Sequence, residues 1–189
     1  MMKSILLIFS IFSCLDTMVL SQKSCNISFA RTIGSALSNE AGYTMAVDEI
    51  NKVIYLAGSV NDSTLIFKIN TEGDILWARA FDVLPGEPER PCGLILDSDG
   101  MLCLSGMTDL SAGGNIFILK YDPVAQLVLW SRQYVSKSKN YVYSFIEKEP
   151  GGNYLMSNNP FTSQDAELLE IDRVTGQINS NFAKHYALG

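Results

Sequence analysis

A five-residue pattern, which reads aromatic, small, basic, any residue and apolar, occurs four times in this chain of 189 residues. The copies are Phe29–Ile33, Trp77–Phe81, Trp130–Tyr134 and Phe182–Tyr186. They begin 48, 53 and 52 residues apart. Self-similarity at a nearly constant period is the signature of one supersecondary unit stacked several times. We therefore expect a repeat structure in which Phe29, Trp77, Trp130 and Phe182 occupy equivalent places in the core.

Between the copies lie short runs of β-branched and aromatic residues that end at Gly, Asn or Asp, which is typical of strands joined by tight turns. Strands are predicted at 43–47, 52–57, 64–69 and 75–81, then at 94–97, 101–106, 116–122 and 127–130, and finally at 142–146, 154–156, 167–172 and 176–178. Four antiparallel strands in about 50 residues fit one β-propeller blade. A β-sandwich gives no reason for a repeat of this length.

The predicted fold is therefore all-β: a partial, open β-propeller of about three four-stranded antiparallel blades with an extra terminal strand. The blade units are 29–76, 77–129 and 130–181, and 182–189 begins a further unit. Closed propellers have four to eight blades, so the edges here are expected to stay open to further blades or to pairing with another chain. A fragment of a longer product, a truncated paralogue and half of a dimeric ring are the three interpretations.

Two further slots recur in register with the aromatic motif. Gly58, Gly106 and Asn158 share one, and these residue types predict a bulge or strand end with a left-handed backbone. Asn70, Asp122 and Asp172 share the other, where the side chain is expected to fold back onto the following turn. In the motif itself the first, third and fifth side chains share one strand face. The large residues are thus expected on one face and the small ones on the other.

The segments 42–48, 53–59 and 67–77 together are similar to the β-propeller repeat called SBBP. The second unit follows the same pattern through Gly106, 120–122 and Trp130, whereas the third replaces the glycine by Asn158. The resemblance implies an extracellular or cell-surface propeller, and it brings no catalytic motif that maps onto residues of this chain.

A second resemblance points towards enzymes. The segment Ile171–Gln177 is similar to the Asp-x-x-Thr-Gly turn of quinoprotein propeller repeats, although it occurs once and lacks the expected tryptophan. A hairpin turn is the preferred interpretation. Asp97–Gly100 likewise resembles the start of a calcium loop, but Thr108 stands where the motif requires Glu, so an Asp-Gly hairpin turn is expected there too.

Residues 1–21 have the order of a secretory signal peptide: Lys3, then an apolar run from Ile5 to Phe12, then Val19 and Ser21 before a cleavage site. The run is too short for a membrane span, which needs about 20 residues. Residues 22–189 are thus expected to be a secreted or extracellular repeat domain. The net charge of −6, with scattered Lys and Arg, argues against a nucleic-acid partner.

Few residues suggest chemistry. Asn26 and Asn61 fit the N-glycosylation sequon, so both are candidate glycan sites. Cys92 and Cys103 lie on neighbouring predicted strands, where a disulfide and two buried thiols are equally compatible with the spacing. A single histidine, His185, and the lack of a Cys-x-x-Cys pair argue against a zinc site. No catalytic, metal-binding or cofactor-binding residue is assigned.

The expected function is a secreted or cell-surface propeller that is not an enzyme and that serves as a binding, adhesion or scaffold module. Its partner is expected to be a protein or carbohydrate ligand of unknown identity, with no cofactor. Two alternatives remain: part of a propeller enzyme of the quinoprotein or lyase type, and a truncated paralogue without independent function.

Overall fold

Antiparallel strands dominate the residues that the computed structural model describes, which are 40–108, 115–134, 141–149, 152–160, 165–179 and 184–187. Sheet 1 contains β1 (Glu40–Asp48), β2 (Val53–Val60), β3 (Ser63–Asn70) and β4 (Ile75–Phe81). Sheet 2 contains β5 (Glu89–Leu96), β6 (Leu102–Thr108), β7 (Asn115–Asp122) and β8 (Leu127–Tyr134). Sheet 3 contains β9 (Tyr141–Lys148), β10 (Tyr154–Pro160), β11 (Asp165–Ile171) and β12 (Lys184–Ala187). Within each sheet the strands pair in sequence order, and no helix occurs in these residues, so the all-β prediction is confirmed.

The sheets begin and end at other residues than the predicted units. Units 77–129 and 130–181 open on an aromatic strand, but β4 and β8 pair with the strand before them and close sheets 1 and 2. The expected extra terminal strand is instead β12, the fourth strand of sheet 3. The reason is local: β3 and β4 are joined by a four-residue turn, 71–74, whereas the longer connection 82–88 leads to the next sheet.

Strand register confirms that the last three aromatic motifs occupy equivalent positions. The basic residue of the motif lies opposite the same position of the third strand in each sheet: Arg79 opposite Ile66, Arg132 opposite Ile118 and Lys184 opposite Leu168. The first two sheets also share a register shift beside the tryptophan. It lies between Lys68 and Ile69 in sheet 1 and between Lys120 and Tyr121 in sheet 2. The repeat found by spacing is therefore a repeat of hydrogen-bond register.

The motif's aromatic residues pack each sheet onto the next one. Trp77 lies 6.1 Å from Tyr121 between ring centroids, and Phe81 stacks on the same tyrosine at 5.7 Å with 8° between the planes. Tyr55 lies 6.2 Å from Trp77 and completes the group. Ala78 and Ala80, on the other face of β4, are exposed, as the alternation of the motif predicts. Aromatic pairs of this kind add about 0.5–1.5 kcal/mol each to the burial of apolar area.

Sheets 2 and 3 use the same motif positions. Tyr134 donates a hydrogen bond from its hydroxyl group to the carbonyl oxygen of Gly176 on sheet 3. A Cβ atom on Gly176 would lie 2.7 Å from the ring of Trp130, and Gly176 has φ +71°, so only glycine fits this turn. The basic residue between these aromatics stays exposed. Arg79 and Arg132 donate to the neighbouring carbonyl oxygens of Ala78 and Ser131.

The glycine slot is a place of close approach. Register shifts on the partner strands, between Gly42 and Thr44 and between Pro91 and Gly93, lie opposite Gly58 and Gly106. The expected bulge is thus present, on the facing strand. The expected left-handed backbone is wrong for Gly58, which has no positive φ. A Cβ on Gly58 would overlap the carbonyl oxygen of Ala41, so bulk rather than backbone angle excludes a side chain.

We expect Gly58→Ala to lower the free energy of unfolding by about 2 kcal/mol or more, because the methyl group would push β1 away from β2. Gly42 lies directly opposite Gly58 and has nothing within 4 Å of a Cβ position, so Gly42→Ala is the matched control. Urea denaturation measures both. Equal stabilities of the two variants would contradict the packing argument.

The polar slot after the third strand is confirmed. Asn70 Oδ1 accepts the backbone N–H groups of Glu72 and Asp74 at 3.0 and 2.8 Å. Asp122 Oδ1 accepts from two residues of its turn at 2.8 and 2.9 Å, and Asp172 Oδ1 does so at 3.0 and 2.7 Å. Asn70 and Asp122 therefore hold the turns that lead into β4 and β8. Asp172 holds the turn before Ile178, where the predicted strand 176–178 is reduced to an isolated bridge with Ile171.

Candidate functional site

The densest group of charged side chains in the described residues lies at one end of the interface between sheets 2 and 3. Asp97 follows β5, Lys120 lies on β7, Lys148 ends β9, Tyr154 begins β10 and Arg173 lies in the turn after β11. Asp99 and Ser98 belong to the same turn as Asp97. We call these seven residues the Asp97 cluster.

Asp97 is the centre of the cluster, and its side chain is fully buried. Its Oδ1 lies 2.5 Å from the ammonium nitrogen of Lys148 and accepts the N–H of Ser98 at 2.6 Å. Its Oδ2 accepts a hydrogen bond from the Tyr154 hydroxyl group at 2.7 Å. Both partners on strands belong to sheet 3, so this carboxylate joins sheet 2 to the next sheet.

Lys120 is the buried cation of the cluster. Its ammonium nitrogen lies 2.7 Å from Asp99 Oδ2 and 3.6 Å from Asp97 Oδ2, and its side chain is 7% exposed. It also stands 5.9 Å above the ring of Tyr154. Arg173 lies at the rim, 3.8 Å from each of the two carboxylates. Three cations thus surround two carboxylates.

The surroundings fix the protonation states. Burial would raise the pKa of Asp97, but the Lys148 ammonium group and the hydrogen bonds from Tyr154 and Ser98 outweigh it and hold that pKa well below its ordinary value. Burial, the Cys103 side chain and the bond to Asp97 raise the pKa of Tyr154. The carboxylate is therefore ionised while the phenol stays protonated. In this arrangement both carboxylate oxygens bind partners from the protein itself, so the cluster clamps two sheets together.

Sequence reasoning found the turn but not the cluster. Gly100 has φ +80° and donates its N–H to the carbonyl oxygen of Asp97, so the hairpin interpretation of this segment is confirmed. One signal was present in the sequence: Lys120 interrupts the apolar run from Ile116 to Tyr121, and a lysine there needs an anionic partner. The partner itself comes from another strand pair and has no local signature.

A second buried carboxylate, Glu89, lies between sheets 1 and 2. Its Oε2 accepts the N–H and the hydroxyl of Thr64 at 3.0 and 2.5 Å, and its Oε1 accepts the N–H groups of Val83 and Leu84 at 2.5 and 2.7 Å. Glu89 lies at the start of β5 and is 3% exposed. Burial raises its pKa, although all four hydrogen bonds oppose this.

A polar cavity of about 260 Å³ lies beside the β2–β3 hairpin. Its lining residues are Asn61, Asp62, Ser63, Asp82, Gly86, Glu87 and Pro88. Asn61 and Asp62 have φ 46° and 70°, which is the backbone of a type I′ turn. Asn61 is exposed, as the glycan prediction requires; attachment of a glycan there stays a prediction.

Cys92 and Cys103 are not bonded to each other. Cys103 pairs with Ile95, whereas Cys92 lies in the bulge opposite Ser105 and Gly106. That offset of about two residues adds roughly 6.6 Å along the strand, more than disulfide geometry allows. Burial raises the pKa of the Cys103 thiol, and Cys92 donates to the Arg90 carbonyl oxygen at 3.3 Å.

The remaining predicted residues divide into two groups. Trp77 and Trp130 lie in equivalent inter-sheet contacts, as the repeat predicts. Asn26, Phe29, Phe182 and the signal-peptide segment 1–21 lie outside the described residues. No group of three His, Cys, Asp or Glu side chains that could hold a metal ion occurs in the described ranges. A helix long and apolar enough to cross a membrane is likewise not found in that part of the chain.

The turn that resembles quinoprotein repeats is explained by its packing. Asp172 Oδ1 accepts hydrogen bonds from the N–H and the hydroxyl of Thr175 at 2.7 and 2.8 Å. Gly176 then lies against the Trp130 ring. Turn and interface geometry therefore account for all three residues of the similarity.

Comparison with known proteins gives a likeness of fold. No protein-family model and no curated protein matches the chain. Among solved structures, a protein of unknown function from Bacteroides caccae matches with a TM-score of 0.52 at 18% sequence identity. The match covers 82% of this chain and 48% of that chain, so the chain spans about half the length of its structural neighbour. At this identity the likeness concerns the all-β fold alone.

Proposed function

We propose that the chain is a secreted or cell-surface module of the β-propeller type that binds a protein or carbohydrate ligand and does not catalyse a reaction. The observation that carries the proposal is that the sheets contact one another twice in the same direction: the aromatic strand of one sheet packs on the next sheet along the chain. Trp77 and Phe81 lie on the sheet that follows them, and Trp130 and Tyr134 do the same one unit later. Sheets that stack in one direction through one motif are what blades of a propeller require.

The buried charged groups support a scaffold rather than a reactive centre. Asp97 is ionised and engaged by Lys148 and Tyr154, and Glu89 accepts four hydrogen bonds. Catalytic acids and bases need an oxygen or nitrogen that is available to a substrate. Here both carboxylates are committed to contacts between sheets.

Export is tested by expressing the full chain in a secreting eukaryotic cell line. We expect the protein in the medium, with Gln22 as its first residue by mass spectrometry. A glycan at Asn61 should be removed by endoglycosidase and should be missing in Asn61→Gln. Protein that stays in the cell and begins at Met1 would contradict the proposal of secretion.

The propeller arrangement has its own test. A crystal structure should relate sheet 1 to sheet 2 and sheet 2 to sheet 3 by nearly equal rotations about one axis, since blades surround a common channel. Two unrelated rotations would show a simple stack of sheets. Binding is then screened on glycan arrays and against cell-surface protein libraries with the secreted product.

A further inference from the structure

Glu89 differs from Asp97 in the groups that surround its charge. Both side chains are buried and each joins two sheets, but Asp97 lies against the ammonium group of Lys148. Glu89 contacts only uncharged N–H and O–H donors, and no cation contacts it in the described part of the chain. A buried charge is stabilised less fully by dipoles than by dipoles together with an opposite charge. The protonated form is therefore less disfavoured at Glu89 than at Asp97.

The charged side chains on the neighbouring segments do not supply the missing cation. These residues are Glu40 and Asp48 of β1, Asp62 of the β2–β3 turn, Lys68 of β3, Asp82 and Glu87 of the connection 82–88, and Arg90 of β5. β6, which pairs with β5, has no charged residue from Leu102 to Thr108. The two cations lie over aromatic rings: Lys68 is 5.4 Å from the ring centroid of Tyr55, and Arg90 is 5.7 Å from that of Tyr43. The other five are carboxylates, which carry the same charge as ionised Glu89.

One of the four hydrogen bonds can reverse its direction. The hydroxyl oxygen of Thr64 lies 2.5 Å from Oε2 of Glu89. A hydroxyl oxygen both donates and accepts, so a protonated Glu89 can donate its own O–H to Thr64. Each oxygen of the neutral acid also keeps a lone pair for the backbone N–H groups that it now accepts. The site thus accommodates the added proton and keeps all three backbone donors satisfied, which an amide side chain cannot do.

Glu89 also holds the two walls of the polar cavity. One wall is the hairpin segment 61–63, which continues into Thr64, and the other belongs to the connection 82–88. The carboxylate accepts hydrogen bonds from Thr64 on the first side and from Val83 and Leu84 on the second. The N–H of Glu89 donates to the carbonyl oxygen of Asp62 at 2.7 Å. A change in the charge of Glu89 therefore acts on the contact between sheets 1 and 2 and on the cavity together.

We propose that Glu89 takes up a proton before exposed glutamates do as the pH falls, and that this proton tightens the contact between sheets 1 and 2. Burial raises the pKa of Glu89 above the ordinary value of 4.5, against the effect of its hydrogen bonds. Between these two values the folded protein binds a proton that the unfolded chain does not, so the free energy of unfolding rises as the pH falls. This contribution is fully present below 4.5 and is lost as the pH rises through the folded pKa.

The two inter-sheet carboxylates then respond to acid with opposite sign. The pKa of Asp97 is lowered in the folded protein, so acid weakens the contact between sheets 2 and 3. Mild acidification should tighten the contact between sheets 1 and 2 before that loss begins. The inference goes beyond the proposed function and depends on neither a ligand nor export.

A titration of the wild-type full chain tests the inference directly. The side-chain carboxyl carbons of isotope-labelled glutamates are followed by NMR between about pH 8 and pH 4 and assigned by through-bond experiments. We expect the midpoint of Glu89 at a higher pH than that of Glu87, which is exposed and two residues earlier. A Glu89 midpoint at or below that of Glu87 overturns the inference.

Urea denaturation at decreasing pH tests the effect on stability. As the pH falls towards 4.5, the unfolding equilibrium constant of the wild type should fall relative to that of Glu89→Gln, by up to about tenfold per pH unit. Glu87→Gln is the matched control and should keep the pH dependence of the wild type. A wild type that loses stability relative to Glu89→Gln on acidification overturns the inference and leaves the proposed secreted module standing.

Discussion

Asp97→Ala should lower the free energy of unfolding by about 3–5 kcal/mol, because it leaves the buried Lys120 and the Lys148 ammonium group without their shared carboxylate. Asp97 is fully buried, and its partners Lys148 and Tyr154 come from the neighbouring sheet. The loss should therefore appear as separation of sheet 3 from sheet 2. Urea denaturation followed by tryptophan fluorescence in a Trp77→Phe background, where Trp130 of that interface is the remaining tryptophan, measures it.

Asp99→Ala is the control for this prediction. Asp99 pairs with Lys120 as closely as any group, but its side chain is 32% exposed, so its removal should lower the stability by about 1 kcal/mol. Equal losses in the two variants would mean that net charge, rather than the buried carboxylate, stabilises the contact.

The contribution of Asp97 to the free energy of unfolding should also depend on pH. The pKa of Asp97 is lowered in the folded protein from an ordinary value of 3.8, so the ionised carboxylate stabilises the fold above that value. The contribution is lost as the pH falls through the folded pKa. The stability difference between wild type and Asp97→Ala should thus be constant near neutral pH and should shrink below about pH 4. A difference that grows on acidification would reverse the assigned sign.

Glu89→Ala is expected to cost about 3 kcal/mol or more. The substitution leaves the N–H groups of Thr64, Val83 and Leu84 and the Thr64 hydroxyl without their acceptor. Each unsatisfied buried donor costs about 1–3 kcal/mol, and water that enters the site recovers part of this. Thermal and urea denaturation measure the loss.

Glu89→Gln separates charge from hydrogen bonding. An amide keeps one acceptor oxygen but turns an N–H towards a backbone N–H that needs an acceptor, so Gln should recover less than half of the loss. Glu87→Ala, two residues earlier and exposed, should change the stability by less than about 0.5 kcal/mol. A neutral Glu89→Ala variant would show that the connection 82–88 rearranges freely.

The repeat could be recognised in the sequence because the interactions that produce it are local. Alternating apolar residues define strand faces, Asn70 and its equivalents hold turns through their own side chains, and the tryptophans recur at the strand that covers the next sheet. Each of these depends on residues a few positions apart. Spacing therefore predicted the all-β class, the strand order and the register of the motif.

The limits of the sheets were harder to infer from spacing. A repeat has the same period wherever its unit is taken to begin, so the assignment of the aromatic strand to the sheet before or after it depends on hydrogen bonds. The length of the connection 82–88, compared with the turn 71–74, was the available clue.

What the sequence determined by itself was the content of each unit: strands of one apolar face, turns at Gly and Asn or Asp, and an aromatic strand once per period. What only the tertiary structure decided was how charge is buried between the units. Glu89 looks like a loop residue and Lys120 like an exception in an apolar strand. The fold brings Thr64 of sheet 1 to Glu89, and it brings Asp97 and Asp99, from the β5–β6 turn of the same sheet, to Lys120. The physical reason is that a buried charge is stabilised by partners in space, and those partners leave no periodic trace along the chain.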